Sequence, residues 1–198
     1  MTDPAMLIVP GLRDHAPRHW QTELARRWPG ARQLEPMGRD NLSLEPRLQA
    51  LEAAVAAASR PVLLVAHSGG CVLVAHWARH TGLGRRVMGA LLATPPTFDA
   101  PLPPPYPSLQ ALDAAGWLPV PHSGLPFPSI IAASRNDPLG KFLSVSALAR
   151  DWGGVVEDLG AVGHLNPASG FGPWPAVDGL IRRLMTPTTR ERIMEHPQ

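Results

Sequence analysis

Three residues of types that cooperate in acyl transfer occur in a revealing order: Ser68, Asp137 and His164. A neutral serine hydroxyl is a poor nucleophile, so it needs a base within hydrogen-bond reach and a further group to hold that base. Ser68 has the right setting. The run Pro61-Val62-Leu63-Leu64-Val65-Ala66 leads into His67-Ser68-Gly69-Gly70 and then into the apolar segment Cys71-Val72-Leu73-Val74. A serine on such a sharp strand-to-helix turn has a strained backbone, with its hydroxyl pushed clear of the sheet. Strand and helix backbones nearly touch there, which requires tiny residues two before and two after the serine. Ala66 and Gly70 fill those places. The order serine, acid, histidine is the one expected when an elbow serine sits early in an α/β fold. His164 would take the Ser68 proton and return it to the leaving group, and Asp137 would fix the imidazole tautomer. The developing oxyanion needs two backbone donors, for which Gly69 N–H and Leu12 N–H are the candidates.

The elements that must position these groups follow from apolar patterning. Met6–Val9 reads as a buried strand stopped by Pro10-Gly11, and Trp20, Leu24 and Trp28 mark a helix ended by Pro29-Gly30. Ala31–Leu34 is a weak strand; Leu44, Leu48, Leu51 and Val55 mark a helix with Ser43 as its cap. After the elbow strand and its helix, which runs to about Gly82 or Gly84, come strands at 87–93, 129–133 and 155–159. A helix with Phe142, Val145 and Leu148 on one face precedes the last strand, and one with Val177, Ile181 and Leu184 inward closes the fold. Alternating strands and helices predict a compact α/β fold of about six mostly parallel strands flanked by helices. Asp137 and His164 then lie just past the fifth and sixth strands, on the same carboxyl edge as Ser68. If the first strand lies beside the elbow strand, the Gly11–His15 loop shares that crevice.

Residues 94–128 differ in composition: Pro95, Pro96, Pro101, Pro103, Pro104, Pro105 and Pro107 exclude regular helix or an inner strand. The insert reads equally as a stiff surface connection or as a small lid, with only Leu109–Ala115 able to form a short helix. Trp117 and Phe127 are expected to wall a short acyl slot, and Arg13 or His15 to meet a polar leaving group. The expected boundaries are one domain over 1–185 and a polar tail over 186–198.

Each assignment has a rival. Ser68 could be a helix cap, but a cap does not require small residues on both flanks. His15, in the candidate oxyanion loop, competes with His164 as base. His67 should point into neighbouring packing. Asp158 competes with Asp137 because it ends the last strand close to His164. Cys71 reads as a buried small residue.

Composition narrows the function classes. The 198 residues are 44% hydrophobic and 17% charged, with a net charge of +2, an ordinary globular balance. The positive charges are scattered arginines plus Lys141, so no nucleic-acid or membrane patch is expected. A single cysteine excludes an intrachain disulfide and fits a reducing compartment. The first residues lack the basic segment of a signal peptide, and no apolar run reaches the roughly 18 residues of a membrane span. A cytoplasmic protein without metal or cofactor, acting on a small-molecule substrate, is expected; oligomeric state is not legible.

The chain resembles the small serine hydrolases of the α/β-hydrolase superfamily related to retinoblastoma-binding protein nine, in particular their bacterial members. The matching stretches are Ile8-Val9-Pro10-Gly11 with His19-Trp20-Gln21, Val65-Ala66-His67-Ser68, Ala133-Ser134-Arg135-Asn136-Asp137-Pro138, Gly163-His164-Leu165-Asn166 and Ser169-Gly170-Phe171-Gly172-Pro173-Trp174. The resemblance implies the triad Ser68, Asp137 and His164 on a compact sheet lacking the first two strands of larger relatives. Gly69 departs from the pattern, standing where many members carry a larger residue. The Leu-x-Cys-x-Glu motif of the mammalian namesake is absent, so no pocket-protein partner is implied. The expected activity is cleavage of a small ester, thioester or amide through an acyl-enzyme. The alternatives are a binding protein without turnover and an acyltransferase or perhydrolase using the same triad.

Overall fold

The computed structural model describes residues 4–12, 16–35, 37, 38 and 40–186. Its centre is a six-stranded sheet in the order β2-β1-β3-β4-β5-β6. The strands are β1 (Ala5–Val9), β2 (Arg32–Gln33), β3 (Val62–His67), β4 (Val87–Ala93), β5 (Ser129–Ala133) and β6 (Val155–Asp158), and every neighbouring pair is parallel. The chain first steps outward from β1 to β2, then returns past β1 to lay down β3, β4, β5 and β6 in turn. That reversal opens a crevice beyond the carboxyl ends of β1 and β3, where ligands of such sheets bind.

Burial on both faces explains why β3 has no polar alternation: every residue from Val62 to His67 is buried. One face packs under α2 (Leu44–Ala56), α3 (Gly69–His80), α4 (Leu109–Ala114) and α5 (Phe142–Asp151); its core includes Leu64, Ala66, Leu92, Ile131, Trp117, Phe127 and Trp152. The other face is covered by α1 (Trp20–Arg27) and α6 (Val177–Met185), with Met6, Ile8, Leu63, Val65, Trp20, Leu24, Trp174 and Ile181 between them. The α6 stripe is sharp: Val177, Leu180, Ile181 and Leu184 are buried while Arg182 faces solvent and Arg183 pairs with Glu157 at 2.6 Å.

Ser43 precedes α2 but its side chain caps nothing. The start of that helix is secured by Leu44 N–H donating to Ala115 O at 3.0 Å and by Arg47 reaching Asn41 O at 2.8 Å. A tertiary partner and a contact from the helix's own first turn replace the expected side-chain cap. The Pro-rich insert also departs from expectation in part. Trp117 and Phe127 are only 1% and 2% exposed, and Trp117 Nε1 donates to Leu42 O at 2.7 Å. Both fill the core beneath α2 and α3 and do not wall an acyl slot, because a large apolar surface gains more from full burial than from a wet cleft.

Candidate active site

Ser68 follows β3 directly and opens α3, with φ 56° and ψ −131°. This is a conformation that residues with a Cβ avoid, and it holds only where the surroundings impose it. A Cβ added at Gly70 would lie 2.5 Å from Pro10 O and 2.6 Å from Val9 O, so the start of α3 rests directly on the β1 backbone. Gln21 ties the same place from the other side, donating its amide hydrogens to Val9 O at 3.1 Å and Val65 O at 3.0 Å, one carbonyl from each strand. A Cβ on Gly11 would come within 3.4 Å of Ser68 Oγ. The loop after β1 and the elbow therefore share one crevice, as the adjacency of β1 and β3 requires.

The loop that carries His164 follows β6 and the loop that carries Asp137 follows β5. His164 Nδ1 lies 2.8 Å and 3.0 Å from the two carboxylate oxygens of Asp137, and His164 Nε2 lies 2.8 Å from Ser68 Oγ. A carboxylate only accepts, so Nδ1 carries the hydrogen, and Nε2 presents its lone pair to the serine hydroxyl. Asp137 is itself fixed, since its Oδ1 accepts from Leu139 N–H at 2.9 Å. The two loops are laced together: Asn136 Oδ1 accepts from Gly163 N–H at 2.6 Å and from Ser134 Oγ at 3.0 Å. Ser134 Oγ in turn accepts from Val162 N–H at 3.3 Å. Asp158 is engaged elsewhere. It forms a forked pair with Arg135, at 2.8 Å from Nε and 2.5 Å from Nη2, and that guanidinium lowers its pKa first, then Gly160 N–H.

The remaining candidates are distributed as follows. A Cβ built on Gly69 would sit 3.6 Å from Leu12 N and 3.0 Å from Leu12 Cγ, so residue 12 packs directly against the residue that follows Ser68. The Gly69 N–H belongs to the first turn of α3, whose donors have no intrahelical acceptor. Arg13 and His15 lie outside the described residues. Cys71 is buried against Ala93 O, and burial pushes its thiol pKa up, which leaves no thiolate for chemistry. Among the described residues no group of three or more His, Cys, Asp or Glu gathers as a metal site would require.

Above Ser68 opens a cavity of about 190 Å³, lined by Gly11, Leu12, Ala16, His19, Tyr106 and the Asn166–Ala168 wall, among others. Sequence reasoning assigned no role to His19, Gln21, Tyr106 or Asn166. A faint signal existed for each. His19, Gln21 and Asn166 belong to stretches that carried the resemblance, and Tyr106 is the single tyrosine, set among prolines. Its ring stands edge-on to His164, 6.2 Å between centroids, which makes it the insert's contribution to the cavity.

Residues 6–183 match the serine hydrolase family. The chain belongs to it. This serine hydrolase is also similar to solved α/β-hydrolase structures. A YdeN-like hydrolase from Pectobacterium atrosepticum is 27% identical, with TM-score 0.74 and 96% of this chain and 91% of that one covered. The ydeN gene product of B. subtilis is 21% identical, with TM-score 0.72 and 92% and 99% covered. A thermophilic esterase from Thermogutta terrifontis, solved with malate bound, is 15% identical, with TM-score 0.61 and 93% and 92% covered. No curated protein matches the sequence. The hydrolase is thus an enzyme of the α/β-hydrolase superfamily, and its resemblance to the small serine hydrolases related to retinoblastoma-binding protein nine is borne out. Among the described residues no helix is long and apolar enough to cross a membrane.

Proposed function

We propose that the enzyme cleaves a small ester, thioester or amide through an acyl-enzyme on Ser68, with His164 as general acid and base and Asp137 as its orienting acid. The observation that carries this reading is the unbroken chain of hydrogen bonds from Asp137 through His164 to Ser68, 2.8 Å at each end, opening into the cavity. Ser68 Oγ attacks the acyl carbon as its proton passes to His164 Nε2. The oxyanion formed is met by the amides of Leu12 and Gly69. Collapse breaks the bond to the leaving group, which takes the proton from Nε2. Water then repeats the sequence in reverse order and frees Ser68. Removing a single oxyanion donor in such sites costs about 10² to 10³ in rate.

The substrate is small. A cavity of about 190 Å³ lies below the roughly 300–1,000 Å³ of drug-sized pockets. Trp117 and Phe127, the insert residues expected to wall a short acyl slot, are spent in the core. A space of this size suits acyl groups from acetyl to butyryl better than long chains. The insert acts as a packed cover, of which the Tyr106 turn forms one wall of the site.

A fluorophosphonate should label Ser68, and Ser68→Ala should abolish labelling and lower turnover of p-nitrophenyl acetate by about 10⁴ to 10⁶. Across C2 to C12 esters kcat/KM should peak at or below C4. A true long-chain site would instead gain about 0.8 kcal/mol per buried CH₂, and a steady rise to C10 would overturn the small-substrate reading.

A further inference from the structure

His67 immediately precedes Ser68 at the end of β3, and the reaction sequence above makes no use of it. Its ring is buried on the α1 side of the sheet. The ring centroid is 4.6 Å from that of His19, 5.0 Å from that of His164 and, edge-on, 6.0 Å from that of Trp20. His67 Nε2 lies 2.9 Å from the main-chain oxygen of His164. A carbonyl only accepts, so Nε2 carries the hydrogen and His67 is the donor. The segment it holds is one the chain does not adopt readily. Gly163 has φ 60° and Leu165 has φ 50°, the latter in a region where a Cβ crowds the backbone. His164 is thus carried between two left-handed residues, with its carbonyl held by His67.

We propose that His67 is a positioning residue: it grips the main chain of the base from the position next to the nucleophile and so sets the Ser68 Oγ to His164 Nε2 separation. This rests on the reading of Ser68 and His164 as nucleophile and base. Two adjacent residues then hold one histidine at two points, Ser68 by the ring at 2.8 Å and His67 by the carbonyl at 2.9 Å. The peptide plane between them is rigid, so the base cannot drift without losing one contact. A displacement of about 1 Å in such a site costs on the order of 10²-fold in rate.

The grip also stays uncharged. Burial first, then the charges of His164 and His19, push the His67 pKa well below 6.5. These two are the titratable groups that act on it, one from the loop after β6 and one ahead of α1, with Asp137 standing beyond His164. When His164 takes the Ser68 proton, the ring beside it therefore adds no opposing charge.

The test uses His67→Phe, which keeps the ring without the donor, and His67→Gln, whose amide reaches the Nε2 place. Each is measured by p-nitrophenyl acetate kinetics across pH and by the low-field Nδ1–H proton resonance of His164. His67→Phe should lower kcat by about 10- to 100-fold with KM within about threefold. The acid limb of kcat/KM should move to lower pH, because a base displaced from Asp137 is a poorer imidazolium, and the Nδ1–H resonance should weaken. His67→Gln should restore most of each. An unchanged kcat and acid limb in a folded Phe variant would overturn the proposal. So would a Gln variant as impaired as the Phe variant, or a lowered melting temperature with kinetics and resonance unmoved. If the Phe variant does not fold, His67→Asn replaces it, since that side chain is too short to reach the carbonyl. If wild type shows no Ser68-dependent hydrolysis, the hydrolytic reading of Ser68 fails separately. The resonance comparison still decides the grip: a change supports it and none refutes it.

Discussion

The division of labour between two aspartates is a matter of single residues. Asp137 lies in the loop after β5 and Asp158 ends β6; the first is buried against the imidazole of His164 while the second is spent on Arg135 at the surface. Asp137→Asn should leave the fold intact and lower kcat by about 10³ to 10⁴, because an amide that donates to Nδ1 selects the wrong tautomer. Asp158→Asn should stay within a few-fold of wild type, exposed pairs of this kind being worth little. Steady-state kinetics with circular dichroism on both variants checks the ranking, and the reverse order would transfer the role to Asp158.

At the scale of elements, the elbow exists because α3 can start in contact with β1. Gly70→Ala drives a Cβ into two main-chain carbonyls at 2.5 and 2.6 Å, and backbone cannot rotate away, so β1 and α3 must part. Urea denaturation should show a loss of about 1–3 kcal/mol, with activity falling as Ser68 shifts. Gly69→Ala meets Leu12 Cγ at 3.0 Å, a side chain that can yield. It should cost less stability while disturbing the Leu12 amide, and so read mainly in kcat. Gly82→Ala, with nothing within 4 Å, is the control and should be near neutral. The insert divides in the same way. Trp117→Ala should cost about 3–5 kcal/mol through the cavity it leaves. Tyr106→Ala, at the half-buried cavity wall, should change KM and chain-length preference with a much smaller shift in melting temperature. Thermal melts and the ester series measured together separate these two roles.

For the whole molecule, buried neutral histidines make acid stability predictable in sign. His67 has its pKa lowered chiefly by burial, and so does His76, whose Nε2 donates to Trp117 O at 3.0 Å. Both are lowered from an ordinary 6.5, so below that pH the unfolded chain binds protons that the folded chain refuses. Stability from these two groups is complete above pH 6.5 and declines as pH falls. The urea midpoint should drop between pH 7 and pH 5, and His76→Gln should flatten that slope. An unchanged slope in the variant would mean that the loss comes from other groups.

What the sequence determined by itself was the part of the structure whose causes are local. β4 and β5 run over the expected residues because continuous apolar stretches bounded by Gly, Pro or polar residues fit a buried parallel strand and little else. Ser68 was legible because an elbow is a short-range steric object: Ala66 and Gly70 announce that two backbones must nearly touch. Asp137 and His164 followed from strand ends sharing one edge of a parallel sheet. The tertiary structure decided what depends on residues far apart in the chain. It set Arg135 on Asp158, took Trp117 and Phe127 into the core, brought Tyr106 from the insert over His164, and placed His67 on the main chain of residue 164. Patterning along a chain records which face a residue prefers, whereas a pocket wall or a hydrogen-bond partner is fixed only once distant elements have packed.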